Sequence, residues 1–181
     1  MSRAEAVIRR VVVSLVTVLV LVPATAHAFE AERVFQRDGW LLSVEGGAGS
    51  QHNFQDSDRQ TGLDLRYAGL RLGWLPFGTT GPGIVRGALE VGLEVLYQQY
   101  HHPVHDFWAG LGAVGRYHFT SLGRFVPYLE GGASVGATNL NIPEIDSDFA
   151  FLVFAGAGAS VFLTERVAGV AGITFFLGPR R

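Results

Sequence analysis

Apolar and polar residues alternate with a period of two along most of the chain beyond residue 38. In Ala88–Gln98 the odd-numbered positions are mostly apolar, and the even-numbered positions carry Glu90, Glu94 and Gln98. This period predicts β-strands, because a helix would scatter the two classes around its axis. Two later runs are apolar at both parities, and their length, small residues and flanking turns also indicate strands. Seven strands are predicted, at roughly 39–50, 61–75, 84–100, 107–119, 125–139, 149–163 and 167–177.

The connections between these strands alternate in character. Three are short turns: Phe77–Pro82, Ser121–Arg124 and Thr164–Arg166. The other three are longer, more polar or both: Gln51–Gln60, His101–Asp106 and Asn139–Asp148. This arrangement is typical of an antiparallel up-and-down transmembrane β-barrel, with the longer loops outside the cell. Strands of about ten residues are long enough to cross a bilayer when tilted.

Charged residues concentrate on the polar face of the predicted strands. We expect them to neutralise one another in the interior of a small barrel that side chains fill completely, so no pore is predicted. The predicted interior set is Glu45, Glu90, Glu94 and Glu130 with Asp64, Arg66, Arg71 and Arg116. Within Leu63–Trp74 the apolar residues switch from odd-numbered to even-numbered positions, which predicts a β-bulge near Ala68–Gly69. A soluble sandwich or lipocalin-like barrel, with the apolar face inward, stays open as an alternative.

Residues 1–28 are typical of a secretory signal peptide. Arginines precede the apolar run Val11–Val22, and Ala26-His27-Ala28 is a small-x-small cleavage pattern. The run is shorter than the roughly 20 residues of a spanning helix. We therefore predict cleavage after Ala28, one mature domain over 29–181, and export to the bacterial outer membrane.

Composition excludes several classes of function. The chain has no cysteine, which excludes disulfide scaffolds, Cys-ligated zinc, iron–sulfur clusters and thiol catalysis. Its 14 basic residues are all arginine, and its formal net charge is −2. Without a basic excess we expect no nucleic-acid partner.

Two glycine motifs match catalytic or cofactor-binding patterns by chance. Gly132–Gly136 fits G-x-S-x-G around Ser134, but a nucleophile elbow needs a sharp turn from a strand into a helix. Gly110–Gly115 fits G-x-G-x-x-G, again without a following helix. Both lie within predicted strands, so no catalytic or cofactor-binding residue is assigned.

A histidine-rich loop is the only candidate metal site in the sequence. His101, His102, His105 and Asp106 are suitable ligands for a divalent metal. Pro103 interrupts them, however, and no helix sets a ligand spacing. An exposed polar loop explains these residues without a metal, so no metal is predicted.

Between Arg124 and Gly172, five segments stand in a characteristic order and spacing: Pro127–Ala133, Asn139–Ile145, Ser147–Phe149, Ala155–Gly158 and Phe162–Ala168. In these segments the chain resembles the lipid A 3-O-deacylase (PagL-like) family, also called acyloxyacyl hydrolases. It implies an eight-stranded outer-membrane barrel that hydrolyses an ester-linked acyl chain of lipid A. It also implies a His-x-Ser-Asn motif near the end of the seventh strand and a Glu beyond it, which act as in other serine hydrolases.

The sequence departs from the family pattern at this motif. By alignment, the family's His, Ser and Asn fall at Leu177, Pro179 and Arg180. No family catalytic residue can therefore be carried over to this chain. Bacterial single-chain barrels have even strand numbers, whereas seven strands are predicted here. Our interpretation is a family member interrupted before its last hairpin, for instance by a frameshift near Phe176.

Three functions remain open at this point. The first is a lipid A deacylase lineage whose chain lacks the catalytic end. The second is a non-enzymatic outer-membrane barrel that binds lipid or a partner, with oligomers possible. The third is a soluble secreted β-barrel.

Overall fold

The computed structural model describes residues 30–50, 64–102, 105–139 and 149–177, so the predicted signal peptide lies outside the described residues. A one-turn helix, α1 (Ala31–Val34), precedes the sheet, and 3₁₀ turns occupy Gly83–Val85 and Thr120–Leu122. The strands are β1 (Gly39–Ser50), β2 (Asp64–Leu75), β3 (Thr79–Thr80), β4 (Gly87–His102), β5 (Phe107–Phe119), β6 (Phe125–Thr138), β7 (Phe149–Phe162) and β8 (Ala168–Leu177). No helix within these ranges is long and apolar enough to cross a membrane.

All strands belong to one antiparallel sheet that curls into a half-barrel. Its order is β1-β2-β4-β5-β6-β7-β8, and the short β3 pairs with the start of β4. This confirms the predicted all-β, up-and-down architecture and all seven long strands. We call the end with connections 76–86, 120–124 and 163–167 the turn end, and the opposite end the loop end.

In the long strands, the alternating positions that carry the charged residues face inward, and the positions between them, which are mostly apolar, face outward. On β4 the even-numbered residues from Ala88 to Tyr100 are all buried, whereas Val91, Leu93 and Val95 are about half exposed. The lipocalin-like alternative requires the opposite arrangement, which the described strands do not have. The alternation predicted the two faces, and the curl of the sheet decided which of them lies inside.

The predicted bulge at Ala68–Gly69 is wrong. β1 and β2 pair without interruption from Gly39–Leu75 to Ser50–Asp64, and the only shift on β2 lies between Asp64 and Leu65. Leu65 is buried in an apolar cluster at the loop end, together with the partly buried Tyr67. Along β2 the apolar residues switch from odd-numbered to even-numbered positions although the backbone is regular. The reason is that the inner face of this strand is apolar at the loop end and charged further along.

Asp64 and Arg66 were predicted inside and instead lie on the outer face. Both are exposed, and they share that face with Leu70, Leu72 and Trp74. The regular backbone of β2 gives the reason, because residues of equal parity must share a face. Arg71, of the opposite parity, points inward as predicted.

The third predicted strand, at 84–100, begins three residues later than expected. Residues 83–85 form a 3₁₀ turn, and β4 starts at Gly87. Gly81 and Gly83 have φ of 89° and 53°, and Pro82 between them has no N–H to donate to a ladder. The connection at 76–86 is therefore longer than the predicted turn and adds the short strand β3.

The interior consists of two apolar clusters with the charged residues between them. At the turn end, Phe35 from the segment after α1 packs with residues of four strands: Leu75, Ala88, Val126 and Phe162. At the loop end, the cluster contains Leu65, Leu96, Tyr100, Trp108, Ala150 and Leu152. Along β4 the order is Ala88, Glu90, Glu94, Leu96 and Tyr100, which places the acids between the clusters.

Inward-facing glycines make room for the largest interior side chains. A Cβ at Gly158 would stand 2.6 Å from the hydroxyl oxygen of Tyr128 and 2.7 Å from the backbone Cα of Gly172. Real Cβ atoms do not approach other atoms so closely, so a side chain at this position would force the backbone apart. The high glycine content therefore serves close packing within a narrow barrel.

This packing predicts that Gly158→Ala destabilises the fold. We expect the free energy of unfolding to fall by about 1–3 kcal/mol, as for other overpacked interiors. Ala157→Val, on the exposed face of the same strand, should change it by no more than about 0.5 kcal/mol. Urea unfolding in detergent, followed by tryptophan fluorescence, measures both, and equal effects would contradict the inward orientation of Gly158.

Candidate functional site

The charged side chains of the interior form one connected network, which we call the interior cluster: Glu45, Arg71, Glu94, Arg116 and Glu130. At its centre lies Arg71 on β2, with a side chain that is 1% exposed. Its Nε and Nη2 donate to Glu94 Oε2 at 2.9 and 2.6 Å. Its Nη1 donates to Glu130 Oε2 at 3.0 Å, and Nη2 also reaches Glu45 Oε2 at 3.2 Å. One guanidinium thus joins strands β1, β4 and β6 to β2.

Arg116 on β5 forms the second centre of the interior cluster. Its Nη2 donates to Glu130 Oε2 and to Glu45 Oε1, each at 2.7 Å, and its Nε lies 3.0 Å from Glu130 Oε2. The guanidinium carbon stands 4.3 Å from the centre of the Tyr128 ring, a cation–π distance. Thr174 on β8 completes the network by donating to Glu130 Oε1 at 3.3 Å.

The interior cluster confirms the sequence prediction of a mutually neutralising network for Glu45, Glu94, Glu130, Arg71 and Arg116. Buried charges cost several kcal/mol each unless paired and hydrogen-bonded. Within the described residues, three carboxylates face two guanidinium groups, so the cluster carries one surplus negative charge. Glu45 is its most accessible member, with 19% of its side chain exposed against 1–5% for the others.

A cavity of about 10 Å³ lies beside the interior cluster, lined in part by Glu45, Tyr67 and Thr174. That volume is about the size of one water molecule. It is far below the several hundred cubic ångströms of a typical small-molecule site. Beside the interior cluster, the described side chains therefore leave room for about one water molecule.

A second buried pair joins Glu90 to His118 near the turn end. Glu90 Oε2 lies 2.7 Å from His118 Nε2, and the imidazole ring stands 4.7 Å from the ring of Phe35. The sequence placed Glu90 inside but did not identify His118 as its partner. The sequence did contain a signal for His118: it lies two residues after Arg116 and therefore on the same inward face of β5.

Among the residues that the structure describes, four buried polar atoms have no hydrogen-bond partner: Glu90 Oε1, Gln98 Nε2, His118 Nδ1 and Ser134 Oγ. Ser134 lies in the middle of β6, as predicted, and is 4% exposed. Gly110–Gly115 lies within β5, as the sequence indicated. Neither glycine motif leads into a helix, so the structure gives neither one its catalytic or cofactor-binding context.

The histidine loop gathers no metal site within the described residues. The His101 and His105 rings lie 6.3 Å apart, and both side chains are exposed. No three His, Asp or Glu side chains in the described part of the chain come close enough to hold a metal ion.

The described residues bring no catalytic triad together. No hydrogen bond joins a serine hydroxyl to a histidine among them, and the carboxylates of the interior cluster are bound to arginine. Of the positions aligned with the family motif, Leu177 ends β8, while Pro179 and Arg180 lie outside the described residues. Within the described residues, the contacts of the interior cluster link strands β1, β2, β4, β5, β6 and β8 to one another.

Comparison of the chain with protein-family models, curated proteins and solved structures finds no match.

Proposed function

We propose that this chain is an outer-membrane β-barrel of the lipid A 3-O-deacylase lineage, surrounded by lipid A in the outer leaflet, without hydrolytic activity of its own. The observation that supports it most is the outer surface. Apolar side chains cover most of the outer faces of the long strands, with Asp64 and Arg66 near the loop end of β2 as charged exceptions, while the interior cluster lies inside. A water-soluble protein rarely exposes a continuous apolar surface of this extent.

Aromatic residues line both edges of this outer surface. Trp40, Trp74, Tyr117, Phe119 and Phe125 lie towards the turn end, and Tyr97, Phe107, Phe149 and Phe151 lie towards the loop end. Leu, Val and Ala predominate between the two rows. Aromatic girdles around an aliphatic band are typical of outer-membrane barrels, in which the rings lie at the two membrane interfaces.

The spacing of the two rows fits a bilayer. On β5, Phe107 and Tyr117 are ten residues apart and both face outward. At about 3.4 Å per residue and a tilt of about 40°, the rows are separated by roughly 25 Å along the membrane normal. This is the height of the apolar band of outer-membrane barrels.

Leu93→Arg tests the membrane location. Leu93 lies midway along β4 on the outer face and is 60% exposed. In lipid vesicles the arginine should lower the free energy of unfolding by about 2–4 kcal/mol, the cost of that charge at the bilayer midplane. Leu122→Arg, equally exposed in a turn, should cost no more than about 0.5 kcal/mol. Equal small effects would indicate that water, not lipid, surrounds the strands.

Lipid A analysis tests the second part of the proposal. Expression of this chain in a bacterium without other lipid A deacylases should leave the mass of lipid A unchanged. Loss of one acyl chain in the mass spectrum would overturn the proposed inactivity and support an active deacylase. The absence of a Ser–His–carboxylate set in the described residues is the observation that favours the inactive barrel.

A further inference from the structure

We propose that the turn end carries a surface that binds the headgroups of anionic phospholipids. The surface lies on the connections 76–86 and 120–124, and we call it the rim surface: Ile84, Val85, Arg86, Leu122 and Arg124. All five residues are exposed, with Ile84 at 83% and Leu122 at 60%. The inference rests on the proposed function, because it takes lipid to surround the strands.

Hydrogen bonds join the two connections. Thr120 N donates to Arg86 O at 2.9 Å, and Ser121 Oγ donates to Ile84 O at 3.3 Å. Within the first connection, Arg86 N donates to Gly83 O at 3.2 Å and closes the 3₁₀ turn. The backbone that carries Ile84 is therefore tied to the backbone next to Leu122, so that the two connections present one surface.

A further hydrogen bond places the rim surface beside the outer face of the sheet. Tyr117 belongs to the aromatic row at the turn end, and its hydroxyl donates to Val85 O at 2.8 Å. Its ring lies against the start of β4, where a Cβ at Gly87 would stand 2.6 Å from Tyr117 Cε1. Val85 therefore lies at the level of the Tyr117 hydroxyl. In outer-membrane barrels, rows of aromatic side chains mark the membrane interface.

The sequence makes the rim surface basic. Its two connections contain Arg86 and Arg124 but no Asp or Glu, whereas the third connection at the turn end contains both Glu165 and Arg166. Exposed apolar side chains with basic neighbours are typical of protein surfaces that lie in the headgroup region of a membrane. There the apolar groups reach the acyl chains, and the basic groups attract anionic lipids.

Phospholipid is the occupant that position and charge both favour. Through Tyr117 the rim surface continues the apolar outer face, so one bilayer reaches both. A guanidinium group binds phosphate through two N–H donors, and the headgroup layer offers such phosphates to Arg86 and Arg124. Arginine is tolerated at a membrane interface, so the small effect expected for Leu122→Arg agrees with this placement.

Lipid selectivity tests the role of charge. The full chain is folded into phosphatidylcholine vesicles that contain a trace of spin-labelled phosphatidylglycerol or spin-labelled phosphatidylcholine, and ESR measures the association of each. We expect phosphatidylglycerol to be preferred about threefold or more, and Arg86→Gln with Arg124→Gln should remove the preference. Lysine at both positions should keep most of it, which separates charge from the hydrogen bond of Arg124 to Leu163 O.

Arg33→Gln with Arg37→Gln is the matched control, because it removes two positive charges from the same end of the sheet. Arg33 lies 2.7 Å from Glu30, and Arg37 lies 3.6 Å from Asp38. This variant should retain the preference for phosphatidylglycerol. Ionic strength of about 1 M, where charges are screened within about 3 Å, should weaken it in the native chain. No preference in the native chain, or equal losses in the two double variants, would overturn the proposal.

A fluorescent label tests the position of the rim surface, since the native sequence has no cysteine. Ile84→Cys carries an environment-sensitive nitrobenzoxadiazole group, and Gln36→Cys, exposed in the segment before β1, is the control. In vesicles whose lipids carry a nitroxide on the headgroup, quenching at residue 84 should exceed that at residue 36 about twofold or more. Equal quenching at the two positions would overturn the proposal.

These outcomes are separate from the test of the proposed function. A chain that penalises Leu93→Arg but leaves the label at residue 84 in water would keep the membrane location and overturn the rim surface, whose apolar side chains would then face water or a protein. A chain that tolerates Leu93→Arg and shows no quenching at residue 84 would contradict the membrane location itself.

Discussion

Arg71→Met should lower the free energy of unfolding by about 3–5 kcal/mol, the usual cost of removing one partner from a buried ion-pair network. Arg71 donates to Glu45, Glu94 and Glu130, and its side chain is almost fully buried. Methionine fills a similar volume without charge, so the loss comes from electrostatics. Glu45 and Glu130 would keep Arg116 as a partner, whereas Glu94 would lose its guanidinium partner.

Arg66→Met is the matched control, because it makes the same change on the outer face of the same strand. Arg66 is exposed, and we expect a change of no more than about 0.5 kcal/mol. Urea unfolding of both variants in detergent micelles gives the comparison. Equal effects would contradict the orientation of β2, including the finding that Arg66 faces outward.

A double variant separates charge imbalance from lost packing. Arg71→Met with Glu94→Gln removes one charge of each sign from the closest pair of the interior cluster, in which the atoms are 2.6 Å apart. Replacing both partners of a buried pair costs less than removing one. The double variant should therefore recover part of the stability lost by Arg71→Met alone, and no recovery would assign the loss to packing.

Phe35→Ala should also destabilise the fold by about 3–5 kcal/mol, the range for removing a buried phenylalanine ring. Phe35 is 1% exposed, although it lies outside every strand. Its ring stands 5.7 Å from Phe162 and 4.7 Å from His118, and its carbonyl accepts a hydrogen bond from Thr79. The segment before β1 therefore closes the turn end of the interior.

Phe77→Ala provides the control for Phe35→Ala. Phe77 lies in the connection after β2, at the same end of the sheet, and is 65% exposed. We expect a loss several times smaller than at Phe35 because little buried area disappears. Hydrogen exchange adds a second measurement: in Phe35→Ala, the protection of backbone amides near Glu90 and His118 should fall. Unchanged stability and protection would show that the segment before β1 contributes little to closing the barrel.

The local pattern of the chain predicted most of the architecture. Side chains alternate across a strand whatever the strand pairs with, so the seven long strands and their charged face followed from residue order alone. Their neighbours in the sheet followed from short connections, which favour antiparallel hairpins. The positions of Glu45, Arg71, Glu94, Arg116 and Glu130 were predictable for the same reason.

Errors arose where one face changes its chemistry along a strand. Leu65 and Tyr67 share the inner face with Arg71, although their hydrophobicity resembles that of the outward Leu70 and Leu72. From the sequence alone, a β-bulge that moves the apolar residues to the other face gives the same pattern as a regular strand whose inner face changes from apolar to charged. The uninterrupted pairing with β1 distinguishes them and moves Arg66 to the outer face.

By itself, the sequence determined the strands, their order of pairing and the face that carries charge, because these depend on residues close together in the chain. Only the tertiary structure decided which distant side chains meet: Arg71 with Glu130, His118 with Glu90, and Phe35 with Phe162. Those contacts depend on register and on the curl of the whole sheet, which no local pattern encodes.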